Sequence, residues 1–205
     1  LRSTCVAPGV IARDGSDLWV EFLQGRPLSC SEVPPVGEIG KVFRKLYCQA
    51  PQMISGCADN LADEVVRDLE NLESAGLFDH ACRCRLEERA RAWAPDLAWI
   101  GFDYLDARPA NLLQTPGGLR IVDVESLCDG ELIGTGAARA WSRWPHVERE
   151  SLLSAIAAPE VPDFASYADF LELRFLARWT LRWVLHRKLR LIEAGGFEII
   201  SRRVC

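Results

Sequence analysis

The run from Leu97 to Asp123 constrains the fold of this chain more tightly than any other stretch. Leu97-Ala98-Trp99-Ile100 is a short apolar segment that stops at Gly101, as a buried strand does. Asn111-Leu112-Leu113-Gln114-Thr115 and Leu119-Arg120-Ile121-Val122-Asp123 flank Pro116-Gly117-Gly118. Those central residues supply the backbone angles that a tight turn needs, so the pair predicts a β-hairpin. A loop from Tyr104 to Asn111 joins the strand to the hairpin, and Pro109 fixes one backbone angle within it.

The rest of the chain is ordered around that unit. Val10-Ile11-Ala12 and Leu18-Trp19-Val20-Glu21-Phe22-Leu23, separated by Arg13-Asp14-Gly15-Ser16-Asp17, read as a first hairpin. Apolar residues at helical spacing predict helices over 39–47 and 61–72, the Arg- and Glu-rich stretch 79–93 reads as a third, and the chain reads as mostly helical again over 137–144, 148–157 and 167–193. The order is hairpin, helices, loop, hairpin, helices. Strands are few and local, which argues against a doubly wound parallel sheet and for an α+β class.

Composition narrows the function. The 205 residues are 49% hydrophobic and 26% charged, a globular balance with room for a real core. A net charge of −5 argues against a nucleic-acid binder. No apolar run reaches bilayer length. The eight cysteines are irregularly spaced, only Cys82 and Cys84 form a close pair, and no second pair completes a zinc site. Reduced thiols in a cytoplasmic protein are the expectation. His80, His146 and His186 are scattered, so no metallohydrolase pattern arises. Val36-Gly37-Glu38-Ile39-Gly40-Lys41 lacks the spacing of a phosphate-binding P-loop.

The chemistry lies in the loop and the hairpin. Asp106 is followed five residues later by Asn111, and Asp123 closes the second hairpin strand. Phosphoryl transfer uses such a set. One carboxylate takes the proton of an acceptor hydroxyl, while an amide and a second carboxylate hold magnesium on nucleotide phosphates. Hard oxygen ligands suit that ion.

Tyr104-Leu105-Asp106-Ala107-Arg108-Pro109-Ala110-Asn111, with Val122-Asp123-Val124-Glu125, resembles the catalytic region of the aminoglycoside phosphotransferase and choline kinase branch of the protein-kinase-like superfamily. That family's loop reads His-Gly-Asp-x-x-Pro-x-Asn and is followed by a hairpin and Ile-Asp-x-Glu. Leu18 to Leu28, with Glu21-Phe22 and Gly25-Arg26-Pro27-Leu28, is similar to its last N-lobe strand and hinge. The resemblance implies a small β lobe, of which residues 1–24 are the remnant and hinge, and a helical C-lobe over 25–205. It implies Asp106 as catalytic base, Arg108 on phosphate or substrate oxygens, and Asn111 and Asp123 as metal ligands. Glu21, Phe22 and Leu23 would bind the adenine of ATP, with Mg2+ as the second cofactor.

Two departures bear on activity. Tyr104 stands where the family has His, and no lysine precedes Lys41. The chain begins at Leu1 and its only Met is Met53, so a phosphate-binding loop and strand lysine are expected upstream. The function implied is an ATP- and Mg2+-dependent phosphotransferase acting on a hydroxyl of a small molecule or sugar. Its alternatives are a pseudokinase or nucleotide-binding module, and a lipopolysaccharide-sugar kinase at a membrane surface. The last draws on the stripe Arg174, Arg178 and Arg182, read otherwise as a solvated face. Phe175, Trp179 and Trp183 on the same segment read as a buried helix face.

Overall fold

The computed structural model describes residues 6–15, 17–29 and 35–186. In chain order its elements begin with β1 (Val10–Asp14), β2 (Asp17–Val20), β3 (Arg26–Pro27), α1 (Val36–Tyr47), β4 (Gln52–Ser55), α2 (Ala58–Ser74) and α3 (His80–Trp93). They continue with β5 (Leu97–Tyr104), β6 (Leu112–Thr115), β7 (Gly118–Ile121), β8 (Leu127–Leu132), α4 (Thr135–Arg143), α5 (Arg149–Ile156) and α6 (Ala168–Leu185). The class is α+β, as the pattern of elements predicts. The helix expected over 167–193 is observed to Leu185, and its last residues lie outside those described.

Two compact units divide the chain: residues up to Gln52 with Trp99–Ala165, and Met53–Ala98 with the residues from Ser166. In the first unit, α1 turns Ile39, Val42, Phe43, Leu46 and Tyr47 inward, a stripe at the helical period. It crosses α5 closely at Gly40, where a Cβ would stand 2.5 Å from that of Ala155. The Arg44 guanidinium then donates to the carbonyls of Ala155 (2.7 Å) and Ile156 (3.2 Å), carbonyls that the C-terminal end of α5 leaves without helical donors.

Two antiparallel ladders place the functional loop. In the first, β6 pairs with both β3 and β7, so the segment after β2 is stitched to the hairpin through Pro27 opposite Leu113. In the second, β5 pairs with β8, with Tyr104 opposite Leu127 and a bulge between Gly101 and Asp103. β5 thus runs past Gly101, where the sequence predicted its end. Gly101 continues the strand because its bare Cα faces Ile133 and Pro51 at close range. β8 was not anticipated at all. Its Asp129-Gly130 pair reads as a loop, and only pairing with a distant strand makes it extended.

The second unit contains α2, α3 and α6. Val65, Val66, Leu69 and Leu72 line one face of α2, each such side chain contributing about 1.5–3 kcal/mol on full burial. Asp79 caps α3 by accepting from the Cys82 N–H at 2.8 Å. The expected burial of Phe175 and Trp179 on α6 is observed, and the Trp179 and Trp183 rings lie 4.5 Å apart. The arginine stripe on that helix differs from a solvated face. Arg174 and Arg178 reach Glu64 on α2 at 3.4 and 3.3 Å, and Arg178 also reaches Asp68 at 3.4 Å.

Candidate active site

The loop between β5 and β6 is held from three sides. Leu105 N–H donates to the Ser126 carbonyl (2.9 Å). The indole of Trp144, at the end of α4, donates to the Ala107 carbonyl (2.8 Å), and both residues are buried. Arg108, just before the proline, is extended at φ −132° and ψ 154°, as pre-proline sterics demand. Pro109 then opens a single 3-10 turn that ends at Asn111.

That turn and the hairpin bring the sequence-predicted residues together. Val122 N–H donates to the Asn111 carbonyl at 3.1 Å, one bond beyond the β6–β7 ladder. Asp123 is the next residue, so its carboxylate arrives beside the Asn111 side chain. The Asn111 amide nitrogen lies 2.8 Å from Asp106 Oδ2 and 3.2 Å from Asp123 Oδ2. Asn111 is buried, and its amide nitrogen faces both carboxylates.

Asp106 has further partners. Arg108 Nε stands 2.9 Å from its Oδ2, and Arg139 Nη2 stands 2.6 Å from its Oδ1. Arg139 comes from α4 and was not singled out in the sequence. Nothing in its spacing ties it to Asp106, because the contact depends on how α4 docks. One turn further along α4, burial and then the charge of Arg139 hold the Arg143 guanidinium below its ordinary range.

A second unforeseen residue governs that docking. Asp103 is fully buried on β5. Its Oδ2 accepts from the backbone N–H groups of Gly134 (3.0 Å) and Gly136 (3.1 Å) at the start of α4. Its Oδ1 accepts from Tyr104 N–H (2.6 Å) and the Tyr47 hydroxyl (3.2 Å). Helix N-termini attract anions because their first N–H groups have no helical partner. Gly134 takes φ 102°, and a Cβ on Gly136 would fall 2.2 Å from the Tyr104 carbonyl oxygen. Burial pushes the Asp103 carboxyl up to about 7, against the downward pull of the Gly136 and Tyr104 N–H donors. The legible signals were an acid inside an apolar strand and a Gly-x-Gly pair before a helix.

Tyr104 occupies the position that the resemblance gives to His. Its ring is buried, and its hydroxyl oxygen has no hydrogen-bond partner. Burial, and next the charge of Asp123, push the phenol above its ordinary range, so it stays protonated.

Glu21, Phe22 and Leu23 form an irregular stretch between β2 and β3 rather than the strand end expected there. Glu21 is turned to the chain's own start: its N–H donates to the Gly9 carbonyl (2.8 Å) and its carboxylate accepts from Gly9 N–H (3.2 Å). Phe22 is exposed. No hydrogen bond or ion pair joins these three to the Asp106 cluster among the described residues, although Glu21 lies 4.0 Å from Arg120 on β7.

Asp123 and Asn111 offer hard oxygen donors of the kind that bind magnesium through one or two protein groups, with phosphates and water completing the shell. The buried Tyr104 hydroxyl lies within electrostatic reach of both. No set of three or more His, Cys, Asp and Glu forms an all-protein metal site among the described residues. The donor set therefore fits a cation shared with a phosphate ligand.

The fold is similar to that of solved small-molecule kinases. No protein-family model matches the sequence, and no curated protein matches it significantly. Solved structures do match. Choline kinase LicA from Streptococcus pneumoniae aligns with a TM-score of 0.64 at 14% identity, over 98% of this chain and 74% of that one. The GDP complex of aminoglycoside 2'-phosphotransferase-IIIa aligns at 0.62 and 12% identity, over 96% and 74%. Plasmodium vivax ethanolamine kinase aligns at 0.57 and 14% identity, over 99% and 68%.

Proposed function

We propose that this chain is an ATP- and Mg2+-dependent phosphotransferase acting on a hydroxyl of a small molecule or sugar. The observation that supports this most is the Asn111 amide set between Asp106 and Asp123, at 2.8 and 3.2 Å, in a kinase-like fold. The named activities of its structural neighbours, kinases of choline and ethanolamine and an aminoglycoside phosphotransferase, support the same reaction class.

In this reading Asp106 is the base. The acceptor O–H bond breaks and its proton passes to Asp106. The acceptor oxygen bonds to the γ-phosphorus of ATP, and the bond from that phosphorus to the bridging oxygen breaks to leave ADP. Asn111 and Asp123 would hold Mg2+, which neutralises phosphate charge when bound. Backbone groups of the Glu21–Leu23 stretch would meet the adenine. The Glu21 N–H is already engaged with Gly9, which leaves carbonyls and the Leu23 N–H for that role. Residues 1–24 would close a small β lobe and hinge, and 25–205 would form the helical lobe.

Asp106→Asn should lower turnover by about 10²–10⁴-fold, the usual worth of a positioned base, with Mg-ATP binding retained. Unchanged turnover in that variant would sink the assignment. A second reading, nucleotide binding without catalysis, draws on the unpartnered buried Tyr104 hydroxyl and on the two arginines that occupy Asp106. A thermal shift with Mg-ATP and no phosphate transfer to any acceptor would favour it.

A further inference from the structure

Away from the Asp106 cluster, on α3, the Cys84 sulfur sits between a base and a cation. His80, Arg83 and Cys84 follow the i, i+3, i+4 spacing that brings side chains together on one helix face. Cys84 Sγ lies 3.5 Å from His80 Nε2 and 3.5 Å from Arg83 Nη2. Glu73, near the end of α2, holds both partners through its two oxygens. Its Oε1 lies 3.1 Å from His80 Nδ1, and its Oε2 lies 2.7 Å from Arg83 Nε. Glu87, one turn further along α3, pairs with Arg83 Nη1. The core face of α3 is made by Leu86 and Ala90 instead, so packing does not account for the arrangement.

A carboxylate only accepts, which assigns the proton of its bond with His80 to Nδ1. Nε2 then presents its lone pair to the Cys84 thiol. The order is nucleophile, base and orienting acid, the arrangement that activates a cysteine. Once the S–H proton passes to Nε2, the thiolate stands between an imidazolium and a guanidinium. Reactive cysteines occupy such electropositive, part-exposed surroundings, and Cys84 is half-buried. Three other cysteines differ. Cys48 turns its thiol to the Glu160 carbonyl (3.6 Å) and Cys57 to the Pro95 carbonyl (3.2 Å). Burial pushes both of these thiols, and that of Cys128, above their ordinary range.

We propose that Cys84 is a covalent modification site that exchanges with low-molecular-weight disulfides. His80 takes the thiol proton, and the Cys84 sulfur attacks one sulfur of the disulfide. A new S–S bond joins half of the small molecule to Cys84 as the old S–S bond breaks. The leaving sulfur takes the proton from His80. The disulfide is thereby reduced to one free thiol, and the protein carries the other half. The site is independent of the phosphotransferase reading, since none of its residues belongs to the Asp106 cluster.

The test incubates the full chain with glutathione disulfide and follows the mass of the protein, with tandem mass spectrometry locating the modified sulfur. Cys84 should gain the glutathionyl group about ten-fold or more faster than Cys48, Cys57 or Cys128. It should also outpace Cys82, which is likewise half-buried on the same helix. His80→Gln, at a side chain that is 74% exposed, should slow Cys84 about ten-fold while Cys48 and Cys128 keep their rates. Glu73→Gln should slow it too, through the imidazole that it no longer orients. Thermal unfolding checks that both variants remain folded, and the exposed His80 position keeps the test open if Glu73→Gln does not. The proposal is overturned if Cys84 reacts no faster than Cys82, Cys48 and Cys128, or if it keeps its full rate in His80→Gln.

Discussion

Replacing Asp103 by Asn keeps the shape of the side chain and removes its charge, and the consequence can be worked through the contacts of that one carboxylate. It accepts from Gly134, Gly136, Tyr104 and the Tyr47 hydroxyl. An amide has one acceptor oxygen. Turned toward α4, it keeps Gly134 and Gly136 and points its NH2 at the Tyr104 N–H. One hydrogen bond to a charged group is lost and one buried N–H is orphaned, while the Tyr47 hydroxyl rotates to accept. Where the folded carboxyl is ionised, above about pH 7, the loss is about 2–4 kcal/mol. That gap should depend on pH. Burial raises the folded pKa from 3.8 to about 7, so between those values the folded state holds a proton that the unfolded state has released. Stability of the wild type from this group then falls as pH rises, by about 1.4 kcal/mol per unit, and levels off above 7. The amide of the Asp103→Asn variant cannot titrate. Urea unfolding of both proteins at pH 5, 6, 7 and 8 should therefore show the variant's deficit largest at pH 5 and shrinking toward pH 7. A deficit that is constant, or that widens with pH, would refute the reasoning. It would mean that the N–H donors outweigh burial and keep Asp103 ionised throughout.

Three further outcomes follow from the same packing. Gly136→Ala places a methyl 2.2 Å from the Tyr104 carbonyl oxygen and 2.6 Å from Asp103 Oδ1. Chemical denaturation should show a loss of about 3 kcal/mol or more, since backbone rather than a flexible side chain must move. Trp144→Phe removes the donor to the Ala107 carbonyl. It should cost about 1–3 kcal/mol for the unsatisfied buried carbonyl, and hydrogen exchange of the 105–111 amides should speed up. Asp79→Ala removes the cap of α3 and should cost about 1 kcal/mol by thermal unfolding, with no effect on Mg-ATP binding.

Much of the site was legible because it is local. Asp106 and Asn111 are joined by one proline turn, and the Gly117-Gly118 turn returns Asp123 to them, so turn chemistry alone predicts their meeting. Most helices were legible for a related reason: a buried stripe at a period of 3.6 shows in any window of the sequence. The observed ends differ by a few residues, as for α1, which starts at Val36 rather than 39. The second strand of the first hairpin ends at Val20 rather than running to Leu23, with one further bond from Glu21 N–H to the Gly9 carbonyl.

Contacts between distant segments were not legible. β8 becomes a strand only against β5, across residues that carry no strand signal of their own. Arg174 and Arg178 look like a free basic stripe until α2 brings Glu64 beside them. Arg139 reaches Asp106 only because Asp103, 31 residues before Gly134, anchors the start of α4. The sequence by itself determined the acid, amide and acid and the turns that gather them, since those depend on backbone preferences a few residues long. Only the tertiary structure decided the charge around them. Whether Asp106 stands open or between two guanidiniums depends on where a helix docks, and helix docking is settled by burial and by one buried carboxylate, not by the spacing of residues along the chain.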